Sequence, residues 1–395
     1  MKIRIQRQDK EELFCYLALL CFVTPEGLRF NNILNVLWDG ITILKVIVFS
    51  YLFITVLRRN IRNASKEILI IIFLEGVILI STYINSNALN EYLTWINTAI
   101  NIWGIVFLFN WSEKKHSIFL VEKIYKYVEL MVCFNLILAI MIPEGLGKSS
   151  LSNNWGTYTV HTIHLLGFKN NWLIWILVYI FLSEINVLLL KKKRGIAPLI
   201  GIFSAFYCKS STAILVISIY IVIILLSKVK EIKRVLYKIS PVIVISLSLG
   251  MNVLIVFFRI QYIFSVLIEK ILHKTLTFTS RTYIWEQAIS MVLKSPIWGY
   301  GNGTNGKFLN IAGYNVPAHN LYLDIILQGG IICGGMFLLF FIFSCRQTRE
   351  LKIEIRFSIL IAILLMMVAG LMESYFSKAL FFIPFLISIY LKRKM

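Results

Sequence analysis

The residues best suited to chemistry gather in one stretch, from Arg259 to Asn320. Arg281 opens a run to about Lys294 in which Ile284, Trp285, Ala288, Met291 and Val292 recur at helical spacing, so an amphipathic helix is expected there. Ser280 is its candidate N-cap and Pro296 its stop. Next comes the glycine-rich turn Pro296-Ile297-Trp298-Gly299-Tyr300-Gly301-Asn302-Gly303. Glycines this dense permit positive φ and let N–H groups converge as in an anion-binding nest, although the pattern also describes any tight loop. Pro317-Ala318-His319-Asn320 then leads into an apolar run. A histidine at that place can act as a base near neutral pH, or simply cap the helix. Asp324 lies one turn beyond Asn320 and faces roughly the same side as His319. Glu373, far along the chain, can pair with Arg281, orient His319, or merely sit at a membrane boundary. His161, His164 and His273 are the zinc candidates, but no cysteine or carboxylate cluster accompanies them, and no metal site is expected.

The elements that must position these groups are membrane helices. The chain of 395 residues is 58% hydrophobic and only 15% charged, with a mean hydropathy of +0.78. No water-facing surface can be built from that composition. The net charge of +20 is scattered in small clusters between apolar runs, which excludes a nucleic-acid-binding face. The six cysteines lie in or beside apolar runs and are expected to be free thiols. The N-terminus resembles a signal peptide, but no small-residue cleavage site follows, so an uncleaved first span is expected.

A crossing helix needs about 20 apolar residues. On that rule twelve spans are expected, at about residues 12–24, 37–57, 67–85, 92–110, 126–143, 171–190, 195–209, 211–227, 239–258, 320–344, 357–374 and 378–391. The first, seventh and twelfth are short and suggest tilted or re-entrant segments. Alternate connections hold the basic clusters, such as Arg58, Arg59, Arg62 and Lys66, then Lys191 to Arg194, then Lys228 to Lys238. The positive-inside rule therefore places both termini in the cytoplasm. The expected fold is an all-α polytopic membrane protein, residues 1–395 as one membrane domain, with residues 259–320 as a long, partly helical extracytoplasmic loop. A loop that long is expected to carry function. Among charged groups within or near spans, Lys45, Glu75 and Glu184 stand out, and structural pairing with a neighbouring span is expected for the two glutamates.

Three segments of the loop, TSRTYIWEQAI, SPIWGYGNG and PAHNLYLDIILQGGI, in this order, resemble the O-antigen polymerase and O-antigen ligase superfamily, which includes the Wzy-type polymerases. The resemblance implies an enzyme that moves a glycan from undecaprenyl diphosphate to a sugar hydroxyl at the outer face of the bacterial cytoplasmic membrane. It implies an inverting glycosyltransferase with no cofactor and no metal. By the same resemblance Arg281 contacts the diphosphate leaving group, and His319 positions or deprotonates the acceptor. Related polymerases often carry an acid near the place of Glu373. Family members usually have a further arginine in a Ser-Arg-Thr-Ala-like context. This chain reads Cys208-Lys209-Ser210-Ser211-Thr212-Ala213, so Lys209 is the candidate second cation and Arg259 the other. Tyr300, Gly301, Asn320 and Asp324 are the remaining candidates for substrate contact, and Trp285, Trp298 and Tyr300 can stack on sugars or serve as an interfacial belt. The element Gly329-Gly330 to Gly334-Gly335 fits the ligase pattern only loosely, which favours a polymerase.

The implied partners are a lipid-linked oligosaccharide donor and acceptor, membrane lipid, a chain-length regulator and a flippase, with no nucleic acid. The rival from another class is itself a flippase, which also commonly has about twelve spans. A transporter should show two similar halves and basic residues through a central cavity. Here the distinctive polar residues sit in one loop, which favours the enzyme.

Overall fold

The structure is a computed structural model that describes residues 2–31, 33–58, 66–86, 88–113, 117–152, 158–191, 195–260, 281–303, 309–311 and 314–393. The N-terminal half is five helices: α1 (Lys2–Phe22), α2 (Asn35–Leu57), α3 (Lys66–Asn85), α4 (Leu89–Ser112) and α5 (Ser117–Met141). An antiparallel hairpin, β1 (Gly147–Ser152) with β2 (Tyr158–Ile163), precedes α6 (Trp172–Leu190). Then follow α7 (Ala197–Tyr207), α8 (Ser211–Leu226), α9 (Lys230–Leu236) and α10 (Pro241–Asn252), which runs on into a π-helical turn, Val253–Phe257. The helix expected between Arg281 and Lys294 is α11. A short hairpin, β3 (Leu309–Ile311) with β4 (Tyr314–Val316), leads to α12 (Leu321–Gln347), α13 (Ile353–Ala369) and α14 (Ala379–Lys392). Ser280, the expected cap of α11, and His273 lie outside the described residues.

Each of the twelve apolar stretches coincides with a helix, but their lengths differ. Among the described residues six helices are long and apolar enough to cross a bilayer: α2 to α6 and α12. A seventh is gained if α9 and α10, bent by 82°, count as one broken span. Helices α7, α8 and α14 are apolar but only 11, 16 and 14 residues long. At about 1.5 Å rise per residue none reaches across a hydrocarbon core of about 30 Å unaided.

Burial follows the pattern of each sequence. Helix α6 is apolar all round and packs against α5, α7, α13 and α14, so most of its surface is inside protein. Helix α14 is buried along nearly its whole length. Helix α2 instead exposes Ile43, Val46, Ile47 and Phe53, which suits a lipid-facing position. Some polar groups inside the bundle pair between helices. Lys45 on α2 donates to Asn97 on α4 at 2.9 Å, and the Tyr220 hydroxyl on α8 reaches Glu184 on α6 at 3.3 Å. All six cysteines are free, five of them buried.

The glycine-rich turn braces a break in α12. Gly329 and Gly330 leave helical geometry there, Gly330 with φ +64°. The carbonyls of Leu327 and Gln328, freed by the break, accept the N–H groups of Tyr300 and Gly301 at 2.7 and 2.8 Å. Ile331, which restarts the helix, donates to Pro296 O at 2.8 Å. A Cβ on Gly330 would lie 1.9 Å from Ile297 O, so the approach requires glycine. On its other side the turn meets α3, where Ser81 donates to Trp298 O and Asn302 N–H donates to Thr82 Oγ1 at 2.8 Å. The N–H groups of residues 299–302 are thus all engaged within the protein, which argues against an anion nest at this turn.

Candidate active site

The site assembles where the starts of α11 and α12 meet the turn between α13 and α14. Asn320 caps α12: its side-chain oxygen accepts from the N–H groups of Tyr322 and Leu323, both at 3.0 Å. Its amide donates to Leu371 O at 3.2 Å, and Leu321 N–H donates to Gly370 O at 2.7 Å. These bonds fasten the start of α12 to the end of α13. Asp324, one turn on, accepts from the hydroxyl of Ser374 in the same turn. Fully buried Asn320 and largely buried Asp324 therefore hold the scaffold together. From above, Trp285 on α11 donates its indole N–H to Ala318 O at 3.1 Å. Ile284, Trp285 and Ala288 form a small apolar cluster with Leu323 and Leu327. The amphipathic helix thus packs against the start of α12 and the residues just before His319.

Those ties leave Glu373 in contact with two partners at once. Arg281 donates to its Oε1 at 2.7 Å, and His319 Nδ1 lies 3.1 Å from its Oε2. The side chains of Glu373, Arg281 and His319 are 13%, 15% and 29% exposed, so the His319 ring is the part most open to a ligand. Burial alone would push the Glu373 carboxyl up, but His319 and Arg281 outweigh it and hold the group below its ordinary value. An ionised carboxylate can only accept, so His319 donates from Nδ1. In the neutral ring Nε2 then carries the lone pair, on the far side from that bond. The arrangement is a carboxylate that orients a base on one oxygen and fixes a guanidinium on the other.

A third bond to Glu373 comes from Asn170, just before α6. Its amide donates to Oε1 at 2.6 Å, its side-chain oxygen accepts from Ser210 at 2.8 Å, and its backbone carbonyl accepts from Tyr375 at 3.0 Å. Nothing in the sequence around Asn170 marked it out. A different signal was available only in the backbone: among the described residues the non-glycine positions with positive φ are Lys191, Lys209, Arg259 and His319. Three of these four are candidate site residues, and such strain concentrates where surrounding structure enforces it.

The other candidates are dispersed. Lys209 is exposed and occupies the α7–α8 turn, next to Ser210, which links to the site through Asn170. Arg259 pairs with Glu286 on α11 instead of joining Glu373. Arg281 and Glu286 are about 140° apart around that helix, so this pair lies off the site. Tyr300 and Gly301 belong to the α12 brace, with the Tyr300 hydroxyl donating to Met291 O at 2.9 Å. His164 packs edge-on against Trp172, and among the described residues no group of His, Cys, Asp or Glu is placed to hold a metal. A cavity of about 150 Å³ between α6, α8 and α13, near Glu184 and Tyr237, includes none of these site residues.

Residues 196–338 match the family model described as O-antigen ligase. The match supports the O-antigen ligase and polymerase superfamily without singling out a Wzy-type polymerase. Members of the O-antigen ligase family are glycosyltransferase-like enzymes, and a bacterial membrane protein that transfers a lipid-linked glycan is the activity this family suggests. The matched segment runs from α7 into α12 and contains Lys209, Arg259, Arg281, His319, Asn320 and Asp324, whereas Asn170 and Glu373 lie outside it. No curated protein and no solved structure matches the chain.

Proposed function

We propose that this chain is a polysaccharide-repeat polymerase. It transfers a glycan from an undecaprenyl-diphosphate donor to a sugar hydroxyl of a lipid-linked acceptor. The observation that carries the reading is the double contact of Glu373, which places a base and a cation on one carboxylate. In the reaction His319 Nε2 takes the proton of the acceptor hydroxyl as its oxygen attacks the anomeric carbon. The bond from that carbon to the diphosphate oxygen breaks, and the leaving diphosphate keeps the electron pair. Arg281 meets the charge that develops there. A fixed guanidinium in a site partly closed to water is typically worth a few kcal/mol, roughly 10²–10³ in rate. His319 becomes imidazolium, a charge that Glu373 balances, and later loses its proton to water. A single displacement of this kind inverts the anomeric carbon. Lys209 is the second cation for the diphosphate, as a point charge without the planar fork of arginine.

The same reading places twelve helices in the bacterial cytoplasmic membrane, both termini inside and the loop with Arg281 and His319 outside. A flippase supplies the donor across the membrane, and a chain-length regulator sets the product. No metal takes part, because Arg281 supplies the charge that a cation would otherwise bring.

A ligase is the second reading, favoured by the description of the matching family. Both readings use one donor and one chemistry and differ in the acceptor. The test supplies the donor together with either a polyprenyl-linked repeat or a different lipid-linked acceptor, in the presence of EDTA. A ladder of lengthened polyprenyl-linked glycan supports the polymerase. Single transfer to the other acceptor alone supports the ligase. Movement of intact donor across the bilayer with no new bond supports a flippase.

A further inference from the structure

We infer that Asn170 is a positioning residue of the site, holding Glu373 in the one orientation that serves Arg281 and His319 together. The inference deepens the proposed transferase reading and rests on it for its effect on rate. The carboxylate of Glu373 has two oxygens. Oε2 faces His319, and Oε1 is shared by Arg281 at 2.7 Å and Asn170 at 2.6 Å. Arg281 sits at the first residue of α11 and His319 immediately before the cap of α12, so both contacts come from the starts of helices in the outer loop. Asn170 reaches the carboxylate from a different element, the turn before α6, the most deeply buried of the long spans among the described residues. It is therefore the contact that refers Glu373 to the core of the bundle.

The orientation of the Asn170 amide follows from chemistry. A carboxylate accepts and does not donate, so the amide nitrogen must face Glu373. The amide oxygen then faces Ser210, whose hydroxyl donates at 2.8 Å. Ser210 also caps α8, accepting from Ala213 N–H at 3.4 Å. Lys209, in its positive-φ turn, precedes it directly. The chain Ser210 to Asn170 to Glu373 thus joins the turn carrying Lys209 to the carboxylate that holds Arg281. A diphosphate gripped by both cations would meet them at a spacing set partly by Asn170. The Asn170 backbone carbonyl separately holds Tyr375, and side-chain variants leave that tie in place.

The charged and titratable groups that face Glu373 are Arg281 from α11, His319 from before α12, and Tyr375 from its own turn. Asp324 on α12 is engaged by Ser374 beside it, and Lys378, four residues past Ser374, pairs with Glu26. Asn170 adds a neutral donor to this set. A donor to an ionised carboxylate stabilises that form and lowers its proton affinity.

The test uses full-length protein with ¹³C-labelled glutamate carboxyls, the Glu373 signal being identified by its loss in Glu373→Gln. Its titration is compared among wild type, Asn170→Ala and Asn170→Asp, the last of which keeps the side-chain shape. The expected result is a Glu373 midpoint raised by about one pH unit in Asn170→Ala and further in Asn170→Asp, where a second carboxylate opposes it. In wild type the neutral His319 should be the Nδ1–H tautomer by ¹⁵N NMR, and Asn170→Ala should shift part of it to Nε2–H. With the lipid-linked donor and repeat acceptor, Asn170→Ala should lower kcat about tenfold while KM for donor changes little. An unchanged Glu373 midpoint and an unchanged tautomer in both folded variants would overturn the inference, even with an active wild type. A wild type without transferase activity would defeat the proposed function instead, and the two spectroscopic readouts would still decide the role of Asn170.

Discussion

Glu373 and His319 are 54 residues apart in sequence, yet Oε2 of one lies 3.1 Å from Nδ1 of the other. The contact exists because α12 begins beside the end of α13, where Leu321 N–H is bonded to Gly370 O. With Oε1 given to Arg281, the carboxylate makes base and cation interdependent. Loss of one contact disturbs the other, and the first predictions concern that coupling.

Glu373→Gln should cut kcat by roughly 10²–10³ while the protein still inserts. The amide keeps the shape, but it leaves Arg281 without a charge partner and no longer fixes the His319 tautomer. Combining Glu373→Gln with His319→Gln should cost little more than either alone, because residues that act as a unit are not additive. Steady-state transfer rates of the single and double variants check this.

The same group makes stability depend on pH. Glu373 ionises below its ordinary value near 4.5 in the folded protein. Its contribution is therefore fully present above that ordinary value and is lost as pH falls through the lower folded value. Acidification through that window should lower the unfolding temperature of wild type more than that of Glu373→Gln. Thermal unfolding in detergent at a series of pH values measures the difference.

Gly330→Ala should destabilise by about 3 kcal/mol or more, because it combines a positive φ with a Cβ driven into Ile297 O. Gly335→Ala, five residues on in the same helix with open space at the Cβ position, should be neutral or stabilising by up to about 1 kcal/mol. Denaturation of the two variants under identical conditions compares them directly.

Lys209→Gly separates charge from backbone. Lys209 has φ +51°, a conformation glycine adopts without strain, so the variant should fold as stably as wild type. If Lys209 supplies the second cation, transfer should fall at least tenfold with KM for the donor raised, and Lys209→Arg should retain activity. Donor-dependence curves for the three proteins give the answer.

Much of the fold was legible in the sequence because lipid imposes a simple rule: spans must be apolar and helical. Every apolar stretch coincides with a helix, and α11 runs from Arg281 to Lys294 as its spacing demanded. What the pattern could not supply was helix length within protein. Stretches seven and twelve run into polar turns and yield helices of 11 and 14 residues. The site was legible where residue type was itself unusual, as with an arginine, a histidine and an acid at span ends. It was illegible where the deciding fact was a long-range tie. Asn170 is one asparagine beside another, and only the packing of α6 against α13 and α14 brings it to Glu373. The glycine-rich turn showed its need for positive φ but not its target, since the break in α12 that it braces is a tertiary feature.

The most direct test of the account uses purified protein in lipid vesicles with an undecaprenyl-diphosphate-linked repeat unit as donor and acceptor, EDTA present throughout. Wild type is compared with Arg281→Ala and His319→Ala, each first shown to fold and insert. The account predicts a ladder of lengthened lipid-linked glycan from wild type and none, or at least a hundredfold less, from either variant. A ladder of undiminished rate from folded Arg281→Ala or His319→Ala would contradict it.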